Sequence, residues 1–265
     1  MARRARYGRL LWIQLRTSIA TSLQYRFDFV VEGVMGVVFA LLALVPLWVF
    51  RANVRSLEGW SFPEMVVLVG WFTLLKGVLD GAVQPALVEV VAKIREGTLD
   101  FVLLKPADAQ FLISTSKFEV WKILDVMTGI GVCSYGFYSL GRAPRIEHVA
   151  VAALLLLSSC LVLYAMWILV VSAAFWVVRL DNLAYLFISI FDFARWPVTI
   201  FRGALRVVFT FVIPLALMTT YPSMALLGKL SPLTGVLAIG GSLVFAALAR
   251  LVWVRAIGRY TSASS

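Results

Sequence analysis

The sequence is poor in charge. Only 14% of its 265 residues are Asp, Glu, Lys or Arg, while 62% are hydrophobic; a soluble domain carries about 25% charge. A large soluble core would need a charged surface that this chain cannot supply. Histidine is almost absent: His148 stands alone, so an H-E-x-x-H zinc site is excluded and a Ser–His–Asp arrangement is not credible. The two cysteines, Cys133 and Cys160, lie in apolar runs without partners at metal-ligand spacing and read as small buried hydrophobes. No phosphate-binding loop is present. In its nearest fragment, Gly228-Lys229, Leu230 replaces the hydroxyl residue and Ser223 stands where the first glycine belongs. The chain is therefore not expected to hydrolyse ATP by that route, and no catalytic residue, metal ligand or cofactor is expected within it. No internal repeat supports a secondary transporter built from two similar halves.

Long apolar runs are abundant. They predict an all-α, polytopic membrane protein with six transmembrane helices. Residues 1–28 mix Arg3, Arg4, Arg6, Arg9, Arg16 and Arg26 with Leu10, Leu11, Ile13, Leu15, Ile19 and Leu23, and read as an amphipathic helix in the cytoplasmic interface. The first long apolar run starts near Phe29 and no small-residue cleavage site follows a short apolar core. The N-terminus is thus expected to remain on the chain and inside. A single six-span domain is expected over 29–254, with spans near 29–50, 62–83, 120–140, 149–178, 207–221 and 233–254, and a cytoplasmic tail over 255–265. Gln84 and Pro85 are expected to end the second span. Pro214 interrupts the fifth, and Pro222, Gly228, Pro232 and Gly235 punctuate a region that suggests half-helices.

Two long segments interrupt the apolar pattern. Residues 84–111 follow the second span, and residues 179–206 read as a second cytoplasmic or interfacial segment broken at Pro197. With both termini inside, 18 of the 24 Lys and Arg residues fall on the cytoplasmic side, as topology requires. The net charge of +10 is thereby explained without nucleic acid. Inside the spans, Lys76 and Asp80 share a helix face. Lys76 lies about 21 Å along the helix from Phe62, low enough to snorkel, so the pair reads as structural; the functional alternative is a cation or proton site. Glu32, Lys122 and Asp125 read as boundary markers.

Within 84–111, Pro85 opens a helix, Glu89 and Lys93 form a favourably ordered pair, Gly97 is a helix stop, and Lys105-Pro106 ends a second apolar turn. Exposed apolar residues on a structured segment suggest a docking surface; packing beneath the chain's own bundle is the alternative the residues leave open.

The run Ile94-Arg95-Glu96-Gly97-Thr98-Leu99-Asp100 followed by Leu103-Leu104-Lys105-Pro106 resembles the signature between the second and third spans of ABC-2-type transporter permeases. Leu180-Asp181-Asn182, Phe193-Ala194-Arg195-Trp196-Pro197, the stretch 209–214 and Tyr221-Pro222 match in the same order, with Trp196 where Tyr is expected. The resemblance implies the permease subunit of an ATP-driven exporter in a bacterial cytoplasmic membrane. It implies a second permease chain, like or unlike, and two cytoplasmic ATPase subunits carrying ATP and magnesium. It implies coupling to them through Glu89, Lys93, Ile94, Arg95, Gly97, Leu99, Asp100, Leu104, Lys105 and Pro106, helix breaks at Pro214 and Pro222 near an outer gate, contact with membrane lipid, and a hydrophobic or amphipathic substrate such as a drug, lipid or glycan. A non-transporting membrane scaffold and an ion-coupled transporter are the competing readings.

Overall fold

The computed structural model describes residues 7–24, 26–53, 56–176 and 181–258. Helix α1 (Tyr7–Gln24) leads into α2 (Arg26–Asn53). Strands β1 (Ser56–Leu57) and β2 (Trp60–Ser61) then pair antiparallel. Their turn holds Glu58 and Gly59 at φ 47° and 83°, two positive values whose twist matches that of the paired strands. This hairpin marks one end of the molecule.

Helix α3 (Phe62–Val78) starts at Ser61, whose N–H donates to the Glu64 carboxylate at 3.1 Å. It does not stop at Gln84-Pro85, as expected from the proline. It passes through a π-helical turn, Leu79–Val83, into α4 (Gln84–Arg95). The continuous stretch Phe62–Ile94 has 33 residues, about 50 Å of helix against a hydrocarbon core of about 30 Å. Proline lacks the N–H for the carbonyl four residues back, and its ring crowds that carbonyl. The π-turn opens the ladder there. The freed carbonyl, Gly81 O, accepts the Glu119 N–H at 2.8 Å and so ties the start of the next span to this one.

The same device recurs at Pro222. A π-turn over Ala216–Thr220 precedes α11 (Tyr221–Leu226), and the carbonyl four residues before the proline, Met218 O, accepts the Trp71 indole N–H at 3.2 Å. Pro222 therefore lies inside a continuous element and breaks nothing. Pro214 does mark a break: Ala204–Val212 and Ala216–Leu226 meet at 68°.

Beyond α4 come α5 (Asp100–Leu103), α6 (Ala109–Ser114), α7 (Ile123–Ser139), α8 (Ile146–Ala173), α9 (Asp181–Phe191), α10 (Ala204–Val207) and α12 (Pro232–Ile257). Among the described residues four helices are long and apolar enough to cross a membrane, or five if the bent pair counts as one. Helices α3 and α7 pack backbone to backbone through glycines spaced by seven, Gly70 and Gly77 against Gly129 and Gly136. Small residues at such seams let apolar helices approach closely. The main core gathers around α8, where Trp167, Leu163 and Ile168 are fully buried against Phe187, Phe191 and Trp253.

Of the segment 179–206, residues 179–180 lie outside the described residues, and 181–206 do not stay at one end. Ile188 lines a cavity with Gln84 and Pro85. The Phe191 ring lies 5.3 Å from Phe72, and the Arg195 guanidinium sits 5.4 Å over the same ring, halfway along α3. Arg202 then pairs with Glu58 of the hairpin at 2.7 Å. Further on, Lys229 reaches Glu64 at 2.7 Å and the Gly59 carbonyl at 3.5 Å. The stretch 203–228 thus enters and leaves at the hairpin end. The segment expected to span over 207–221 is thus bent back on itself, with the geometry of a re-entrant pair, while 181–195 runs alongside α3. Apolar length cannot tell a crossing from a dip. The irregular backbone of the dip and of the turns before it is satisfied inside the protein: Ser159 Oγ donates to Leu217 O of the dip at 3.2 Å, while the dip's Thr219 Oγ1 donates to Ala194 O at 2.7 Å and its Thr220 Oγ1 accepts the Val198 N–H at 3.0 Å.

Candidate functional site

Two constellations concentrate the chemistry. The first is the platform made by α4, α5, α6 and α1 at the end opposite the hairpin. Helix α4 carries the Glu89–Lys93 pair at 2.7 Å. It ends at Gly97, φ 69°, where the Thr98 N–H bonds Lys93 O at 3.0 Å and the Gly97 N–H bonds Ile94 O at 3.3 Å. This double closure needs the left-handed conformation that glycine adopts freely. Ile94 packs against the core, and Leu99 is wholly buried in it. Leu99, expected to face an ATPase, instead anchors the segment from within. Asp100 begins α5, and Leu104, Lys105 and Pro106 are exposed just after it. Arg95 belongs to α4, but its side chain lies outside the described residues.

Phe101 is the residue that sequence reasoning missed. It is 71% exposed, and Leu104, three positions on, is 82% exposed, so both share one face of a single turn. An isolated Phe in an apolar run reads as core; only the buried neighbours Leu99 and Val102 reveal that it points outward.

The platform is fastened from two sides. Asp108 caps α6 by accepting the Phe111 N–H at 3.0 Å and pairs with Arg250 of α12 at 2.7 Å. Burial works to raise the Asp108 pKa, but hydrogen bonds from Arg250 and Phe111 outweigh it and hold the carboxyl below its ordinary 3.8. Gln110 also receives a hydrogen bond from Arg250, and Ser114 meets the Tyr164 hydroxyl at 2.7 Å. From below, α1 straps on: Gln14 accepts from Thr115 at 2.5 Å, Ser18 accepts the Phe118 N–H at 3.1 Å, and the Tyr7 ring meets Phe111 edge-on at 4.8 Å. Its Leu11, Trp12 and Ile13 remain exposed.

The second constellation is a belt of charge between α2, α3, α7 and residues 192–195. Lys76 and Asp80 pair at 3.5 Å as their spacing foretold. They are not alone. Lys122 holds Glu32 at 3.0 Å and Asp125 at 3.5 Å, and Arg195 holds Asp192 at 3.0 Å. All seven line one cavity of about 490 Å³. Glu32, Lys122 and Asp125, read from sequence as separate boundary markers, are thus brought together with the pair. Their shared visible signal was charge at the edges of apolar runs; which of them meet is a tertiary fact. No group of His, Cys, Asp and Glu among the described residues could hold a metal ion.

A family model described as ABC-2 family transporter protein matches residues 37–264. The chain belongs to that family. It is a multi-pass membrane protein and the transmembrane component of an ABC-type transporter, a permease that associates with ABC ATPase subunits. Both motif blocks, 94–106 and 193–222, fall inside the match. No curated protein and no solved structure matches the chain.

Proposed function

We propose that this permease is the membrane half of an exporter in a bacterial cytoplasmic membrane, with the α4 end cytoplasmic and six crossings made by α2, α3, α7, α8, 181–195 and α12. Two permease chains and two ATPase subunits form the unit, ATP and magnesium being bound by the ATPases. Arg9, Arg16, Lys93, Lys105, Lys117 and Arg255 gather at the α4 end, which favours this orientation.

The observation that carries the reading is the exposed Phe101–Leu104 tip at the foot of a helix continuous with the second span. An apolar tip held by a stiff lever suits an ATPase groove that moves with nucleotide. A push on α5 passes through buried Leu99 to α4, and through the π-turn to α3. The substrate is hydrophobic or amphipathic, and the re-entrant pair at the hairpin end stands where an outer gate belongs.

The test is co-purification with the partner ATPase and ATP hydrolysis in proteoliposomes. Phe101→Asp with Leu104→Asp should cut ATPase recovery at least about tenfold, since anchors in a desolvated groove are worth about 2 kcal/mol or more each. Full recovery with that double variant would remove α5 from the interface. An ATPase that binds but never responds to any amphiphile, in a system that transports none, would favour the scaffold reading.

A further inference from the structure

The geometry points to the charged belt as the head-group site of a cationic amphiphile that enters from the α4 side. This rests on the permease reading above and names the class of molecule moved. Ionisable groups within spans are costly and face protein or water when they occur. Here they form the junction of two chambers. The cavity of about 490 Å³ and a neighbouring one of about 390 Å³ share Glu32, Lys76, Asp80 and Lys122. The smaller chamber opens toward Gln84, Val88 and Lys117 at the α4 end. The larger continues past the belt to Met35, Phe39, Leu42 and Phe72. One path therefore runs from charged to apolar surroundings, which matches a molecule with one charged head and one apolar body.

The sign of the head follows from the lining. Four carboxylates, Glu32, Asp80, Asp125 and Asp192, face three cations, Lys76, Lys122 and Arg195, in the larger cavity. Every cation is engaged, and Lys122 alone must serve both Glu32 and Asp125. In the smaller chamber Lys117 and Glu119 pair with each other at 3.5 Å. One carboxylate charge is left over. A cationic head completes the set, whereas an anionic head would meet only cations already paired and would add repulsion at short range. The wall itself can seat a cation, since the Phe72 face already carries the Arg195 guanidinium at 5.4 Å.

The purified full-length chain in nanodiscs would be titrated with dodecyltrimethylammonium, dodecyl glucoside and dodecyl sulfate, reading the saturable component above empty nanodiscs. The cation should bind at least about tenfold more tightly than the glucoside, and the sulfate should show no saturable binding. Glu32→Gln, at a side chain that is 44% exposed on the rim and so leaves packing intact, should weaken the cation about tenfold and leave the glucoside unchanged. Asp125→Asn should do the same. Phe72→Ala should weaken both ligands. Equal binding of cation and glucoside, or an unchanged cation affinity in Glu32→Gln, overturns the site. Co-reconstitution with the ATPase separates the two ideas. If the ATPase docks and another amphiphile stimulates it while the cation neither binds nor stimulates, the site falls and the permease reading stands. If the cation binds as described but no ATPase associates with the chain, the site stands and the ATP-driven reading falls.

Discussion

The Trp71 indole donates to Met218 O, a carbonyl freed by Pro222 and buried with it. Trp71→Phe keeps the ring volume and removes the donor. It should cost about 1–3 kcal/mol, the penalty of an unsatisfied buried carbonyl, seen as a lower denaturation midpoint in nanodiscs. An unchanged midpoint would mean that the π-turn closes onto another donor. Asp108 offers a second single-residue test. Its folded pKa lies below the ordinary 3.8, so the unfolded chain binds more protons between the two values. The stabilisation is complete above 3.8 and is lost as pH falls through the folded value. Asp108→Asn retains a good helix cap but loses the charge opposite Arg250. Its midpoint should lie below wild type at neutral pH, and the gap should close on acidification into that range. At this scale the sequence showed pairs four apart on one helix, Glu89–Lys93 and Lys76–Asp80. It could not show that Lys122 reaches Glu32, 90 positions away, because that contact depends on how α2 and α7 pack.

Helices meet here through what they lack. A Cβ on Gly129 would lie 2.4 Å from Leu74 N and 2.7 Å from Gly70 O, both backbone atoms that cannot swing aside. Gly129→Ala must therefore push α3 and α7 apart and should cost about 1–3 kcal/mol by overpacking. Gly131, two positions away with nothing within 4 Å, is the internal control. Gly131→Ala should leave stability equal or raise it by about 0.5–1 kcal/mol, the helix preference of alanine over glycine. A gap between the two midpoints is expected, and its absence would dissolve the seam. The seven-residue glycine spacing is present in the sequence, but which glycines face one another is set by how α3 and α7 pack. The helix stop at Gly97 and the cytoplasmic interruption at 84–111 were legible because glycine and charge act locally. The passage of α3 into α4 was not. Proline reads as a stop unless the carbonyl it orphans has another donor, and that donor, the Glu119 N–H, comes from a different element.

The whole molecule turns on where the chain re-crosses the bilayer. The positive-inside count favours six spans whichever side 202–206 takes, because moving Arg202 and Arg206 to the hairpin side still leaves most Lys and Arg at the α4 end. A charge tally is therefore too coarse to place one segment, whereas Arg202, paired with Glu58, and Lys229, bonded to the Gly59 carbonyl, set both ends of the bent pair beside the same hairpin. Single cysteines in a background with Cys133→Ser and Cys160→Ser resolve the matter. Arg202→Cys, Glu58→Cys and Lys229→Cys should all react with a membrane-impermeant maleimide added to intact cells. Lys105→Cys should react only after the membrane is opened. A span over 207–221 would instead put position 202 opposite position 229, so that Arg202→Cys is protected in intact cells while Lys229→Cys is labelled. That pattern would return the fifth crossing to 207–221 and make 181–195 an interfacial helix. It would also take Arg195 and Asp192 out of the membrane, and with them one end of the charged belt, since a crossing at 181–195 is what carries that ion pair to the level of Phe72.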